Sequence, residues 1–94
     1  VVNAILNADK PDYLLNAFPN PASQSLKVAY VLPENINLAT LHLIDISGKQ
    51  VEQFVVDSHT DHLMLDVSRY QSGVYHYFIE YGHSRTESKK LIVK

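Results

Sequence analysis

The stretch "GVYHYFIEY", residues 73–81, alternates without a slip: Tyr75, Tyr77, Ile79 and Tyr81 fall on one side and the remaining residues on the other. An amphipathic helix would repeat its apolar residues at three and four, whereas a period of two with aromatic and β-branched residues is the mark of a half-buried strand. This is the longest strand the chain offers. Gly73 opens it and Gly82 begins a turn at "GHS".

On either side the same period returns. Toward the N-terminus, "HLMLDV" sets Leu63, Leu65 and Val67 on one face, with Met64 and Asp66 opposite, and "SRYQS" bridges it to the long strand. "SLKVAYVL" puts Leu26, Val28, Tyr30 and Leu32 on a common face. "ATLHLIDI" and "QVEQFVV" are β-rich runs joined by "SGK", a short glycine-containing hairpin connection. Their alternation is blurred, which leaves the buried face of each open. Toward the C-terminus the chain closes in "KKLIVK", where Leu91 and Val93 face one way and Lys90, Ile92 and Lys94 the other.

No segment sustains a helical period. About seven short strands with turns every 8–12 residues predict an all-β chain, an Ig-like antiparallel β-sandwich.

At 94 residues the chain holds one domain. A domain of this size buries about 60–65% of its unfolded surface. Absence of cysteine excludes disulfides, a thiol nucleophile and thiolate metal ligands. No apolar run reaches the roughly 20 residues of a membrane helix, so a membrane-spanning chain is not expected. No signal-peptide pattern is present either, and in an exported parent protein that signal would lie upstream of Val1. The net charge of −2 hides an asymmetry: Arg85, Lys89, Lys90 and Lys94 are half of the basic residues, opposed in that stretch by Glu87 alone. Four charges without a second basic patch are too thin a footprint for nucleic acid.

Residues 1–17 carry no clean period and contain a "KPD" break, and they read as a linker or tether to something upstream. In "AFPNPAS", residues 17–23, Pro19 and Pro21 each fix φ and remove a donor. Each also pushes its predecessor toward extended geometry, so the segment reads as a stiff, extended lead-in to residues 18–94 or as an edge pairing, and not as a helix start.

Candidate chemistry is sparse. "DSHTDH" gathers Asp57, His59, Asp61 and His62, good ligand types for zinc, at a spacing that matches no metal motif. They read as solvated turn residues, so neither a metal nor any other cofactor is expected. His42 and His76 sit within strands and read as partly buried, hydrogen-bonded side chains. Asp45 and Asp66 could be imagined as an acid/base pair. Each instead precedes a serine, at Ser47 and Ser68, where a carboxylate accepts backbone N–H bonds in a turn. Gly48 and Gly73 stand where a turn or strand opening calls for φ > 0. The tyrosines of residues 75–81 could form a sugar-stacking platform, although tyrosine is also simply a good strand residue. No nucleophile elbow or phosphate loop is present, and enzymatic activity is not expected.

Taken in order, "FPNPAS", "LIDISGKQV", "LDVSRYQSGVYHYFI" and "KKLIVK" resemble the type A C-terminal sorting domain of the type IX (Por) secretion system of Bacteroidetes. The resemblance covers Phe18 to Lys94. It departs at Tyr70, where that family more often has leucine, and in the long "LPENINLA" connection.

The resemblance implies a non-enzymatic signal domain that takes an upstream cargo from the periplasm across the outer membrane to the cell surface. Its partners would be the type IX translocon and a sortase-like peptidase that removes it, the cargo then being joined to an anionic lipopolysaccharide. Carried onto this chain, the sorting motif would comprise Pro19, Asn20, Pro21, Asp45, Gly48, Lys49, Gly73, Tyr75, Lys90, Leu91, Val93 and Lys94. In that reading the basic final strand is an exposed edge that the secretion machinery grips. The competing reading is a carbohydrate-binding or spacer sandwich on a secreted enzyme.

Overall fold

The computed structural model describes residues 14–94. Their eight strands are β1 Leu14–Phe18, β2 Ser25–Val31, β3 Leu38–Asp45, β4 Gln50–Asp57, β5 His62–Asp66, β6 Gly73–Tyr81, β7 Ser84–Arg85 and β8 Lys89–Val93. They form the expected antiparallel sandwich. A three-stranded sheet runs β1-β2-β5 and faces a five-stranded sheet built on β4-β3-β6. Strand β6 is the hub of the larger sheet. It pairs with β3 along one side, and along the other with β7 near its end and β8 near its start.

The alternation read from the sequence sets the core. Leu26, Val28 and Tyr30 point inward from the small sheet, and Tyr75, Tyr77, Ile79, Leu91 and Val93 from the large one. Strand β3 resolves its blurred pattern by burying Ala39, Leu41 and Leu43, then shifting register between Leu43 and Ile44 where it meets β4. Strand β4 is blurred because it is an outer strand: Val56 is buried, while Val55 on the opposite face is 75% exposed.

Two expectations need correction. The tether expected over 1–17 stops short of that boundary, since residues 14–17 belong to β1. They pair with β2 in continuous register, and Leu15 and Ala17 enter the core. A five-residue strand is too short to declare a period when only two of its residues face inward. Residues 1–13 lie outside the described residues. The turn at "GHS" also continues into a two-residue strand, β7, which adds an eighth strand. Among the described residues no helix is long and apolar enough to cross a membrane.

Candidate functional site

Of the two sequence readings of the proline motif, the structure takes the edge pairing and not the extended lead-in. After Phe18 the chain bends through Pro19, Asn20 and Pro21, and straightens at Ala22 into an isolated parallel bridge with Val93. Proline cannot donate to a ladder, and here the asparagine between the two prolines does the pairing with its side chain. Asn20 Nδ2 donates to the Lys90 carbonyl at 3.0 Å, and the Ile92 amide donates to Asn20 Oδ1 at 2.9 Å. A primary amide carries one donor group and one acceptor, so it can stand in for a peptide unit. Ala22 continues the pattern: its amide donates to the Ile92 carbonyl at 2.9 Å, and its carbonyl accepts from the Lys94 amide at 2.8 Å.

The edge of β8 expected to be open is therefore covered by the chain's own residues 20–22. Leu91 and Val93 are buried, while the side chains of Lys89, Lys90 and Lys94 remain exposed.

The hairpin between β3 and β4 is organised by Asp45. Its Oδ1 accepts from the Ser47 amide at 2.9 Å, the Ser47 hydroxyl at 2.6 Å and the Lys49 amide at 3.0 Å. The Ser47 hydroxyl above all, then the Lys49 amide, hold this carboxyl below the usual aspartate value. Gly48 closes the turn at φ +89°, donating its amide to the Asp45 carbonyl at 2.9 Å. Asp66 repeats the device, accepting from the Ser68 amide at 2.9 Å and the Ser68 hydroxyl at 2.6 Å, with the same lowering. Each carboxylate is committed to its own turn, as the Asp-x-Ser spacing predicts.

Strand register draws these motifs together. Asp45 lies opposite Tyr75, Tyr75 opposite Leu91, Gly73 opposite Val93, and Val93 beside Ala22. Three stretches far apart in sequence thus meet at one end of the large sheet, with the proline segment on its flank. A shallow recess lies there between the Asp45 turn and Gln71–Tyr75. The Tyr75 hydroxyl donates to the Gln71 carbonyl at 2.7 Å, and its ring meets that of Tyr70 at 5.8 Å between centroids. Tyr70 in turn donates to Glu52. A tyrosine at position 70 thus gains a polar partner that leucine would lack.

The tyrosine platform is overturned. Tyr75 and Tyr77 are 7% and 4% exposed, with their rings inside the sandwich and out of reach of a sugar. Burial pushes the Tyr77 phenol up, partly offset by the nearby backbone of Ala17 in β1. In the "DSHTDH" loop, Asp57 Oδ1 accepts the His59 amide at 2.9 Å and Asp61 meets His62 Nδ1 at 2.9 Å. Among the described residues no three His, Cys, Asp or Glu side chains gather to hold an ion.

His42 is partly buried and bonded on both ring nitrogens, Nδ1 to Gln50 Oε1 at 2.7 Å and Nε2 to Glu80 Oε1 at 2.8 Å. It stacks on Phe78 at 5.0 Å, and the Arg85 guanidinium caps that phenylalanine at 4.4 Å. Sequence reasoning missed this outer-face cluster. Its one available signal was the pairing of "ATLHLIDI" with "GVYHYFIEY", which sets His42 opposite Phe78.

A search of curated proteins returns no match. A family model described as a secretion system C-terminal sorting domain matches residues 16–94. That span takes in the last three residues of β1, the proline segment, the Asp45 turn, β6 and the paired strand β8. The chain therefore belongs to the C-terminal sorting domain family of the type IX secretion system.

Proposed function

We propose that this module is a non-enzymatic passport: it takes an upstream cargo from the periplasm through the outer-membrane translocon and is then removed by a sortase-like peptidase. The family match over residues 16–94 carries the reading. The geometry supports it, because the motif residues do not build a reaction centre. Asp45, Gly48, Gly73 and Tyr75 shape turns and core, and Lys49, Lys90 and Lys94 project into water at the same end. These three lysines form the surface that the translocon reads. Exposed ion pairs contribute only about 0–1 kcal/mol each, so shape and backbone contacts around the lysines must supply the remainder. The peptidase cut falls N-terminal to Leu14, since a cut within β1 would remove Leu15 and Ala17 from the core. With Tyr75 and Tyr77 buried, the carbohydrate reading loses the observation that motivated it.

The deciding experiment fuses the module to a fluorescent cargo in a host with a type IX apparatus. Wild type should deliver the cargo to the surface. Lys90→Ala with Lys94→Ala should leave the melting temperature unchanged and retain the cargo in the periplasm. Normal export of the double variant would move the recognised surface elsewhere.

A further inference from the structure

The flank of the large sheet carries a pairing site that is already occupied. In β8, Lys90, Ile92 and Lys94 direct backbone groups away from β6, because the groups of successive strand residues point to opposite edges. Four of these groups are taken by the bent segment: the Lys90 carbonyl by Asn20 Nδ2, the Ile92 amide by Asn20 Oδ1, the Ile92 carbonyl by the Ala22 amide, and the Lys94 amide by the Ala22 carbonyl. The bonds lie between 2.8 and 3.0 Å, the ordinary range of a strand ladder. Yet the occupant is a poor strand. It offers one side chain and one residue, is broken by two prolines, and its Asn20 is exposed to water.

We infer that residues 19–22 are a displaceable clasp on a strand-addition site, and that an extended peptide with acidic side chains pairs with β8 once the clasp is lifted. The edge is competent for pairing, since it already holds a bridge to Ala22. An incoming strand would offer every residue's backbone to it, and main-chain bonds are what give such additions their affinity. The acidic character follows from charge. Strands β7 and β8 run along the same side of β6 and present Arg85, Lys89, Lys90 and Lys94, all exposed, against Glu87 alone. The inference rests on the sorting reading only in making the partner a component of the export route.

The test uses the full chain and two labelled peptides about six residues long, the length of a strand, one alternating glutamate with valine and one lysine with valine. Wild type should bind the glutamate peptide weakly. Asn20→Ala removes two of the four bonds and should bind it about tenfold more tightly. Amide exchange at Ile92 should accelerate by a similar factor while Leu91 and Val93, which face β6, keep their protection. Asn20→Asp, which retains the acceptor for Ile92 but not the donor for Lys90, should fall between.

Unchanged exchange at Ile92 shows that Asn20 does not close the edge, and faster exchange without tighter binding shows that the opened edge takes no strand. Either result overturns the clasp, as does equal binding of the lysine peptide. Export of the fluorescent cargo by the wild-type module is scored separately. Export without any gain in Asn20→Ala defeats the clasp and spares the sorting function, whereas a gain without export does the reverse.

Discussion

Thr86 Oγ1 accepts the Ile79 amide at 2.9 Å while the Thr86 amide donates to the Ile79 carbonyl at 2.8 Å. One threonine, 2% exposed, thus satisfies both backbone groups of the hub strand between β7 and β8. A buried donor without a partner costs about 1–3 kcal/mol. Thr86→Val keeps the shape and removes the acceptor, so a loss of that size is expected in urea denaturation. Thr86→Ser should recover most of it. Equal midpoints for wild type and Thr86→Val would mean that water reaches Ile79.

Acid should weaken the fold through its turn carboxylates. Asp45 and Asp66 are held below the ordinary aspartate value, chiefly by hydrogen bonds from the Ser47 and Ser68 hydroxyls. Asp61 is lowered chiefly by its bond to His62. A carboxyl whose pKa is lower folded than unfolded stabilises the fold fully above the unfolded value. That contribution fades as pH falls through the lowered one. Melting temperature should therefore be insensitive to these groups near pH 6 and decline below about pH 4. Asp45→Asn with Asp66→Asn should flatten the decline, and an equally steep acid limb in this variant would assign it to other groups.

Gly48 should tolerate no β-branched replacement. Nothing lies within 4 Å of where its Cβ would stand, so the penalty comes from φ +89° and not from a clash. Gly48→Val should lose on the order of 1–2 kcal/mol, and Gly48→Asn less, since asparagine visits this region more readily. Equal midpoints for the two variants would reveal that the turn relaxes to another type.

On β8, neighbours should behave oppositely. Leu91→Ala empties a core position and should lose about 2–5 kcal/mol. Lys90→Ala, on the exposed face, should stay within about 0.5 kcal/mol of wild type. A comparable loss from both would place Lys90 in a stabilising contact.

Zinc should not raise the melting temperature. A ligand present at 100 times its dissociation constant and bound only to the folded chain adds about 2.7 kcal/mol. A rise that disappears in His59→Ala would establish an ion site in residues 57–62.

The fold was legible wherever a strand buries one face. Tyr75, Tyr77 and Ile79 alternate cleanly because β6 has a core on one side and a wetter face on the other. Strand β4 was blurred because its position at the edge of the sheet relaxes the demand on each residue, and β1 was missed because two buried residues make no pattern. The Asp45 and Asp66 turns were readable from three residues each, since their chemistry is local. The role of Asn20 was not: its partners lie in a segment that only the folded topology brings near, Ile92 being 72 residues away.

That last separation makes the module a test of whether synthesis has gone through. Strand β3 waits for β6, β6 for β8, and residues 20–22 have no partner until Lys90 to Lys94 have been made. Contacts so distant along the chain form late. A chain broken off before residue 89 would leave Leu91 and Val93 missing from the core and the first half of β6 bare along one side. Such a product exposes apolar surface and invites degradation. A fold of this kind registers its own completion, since Asn20 gains its partners only once Ile92 has been added.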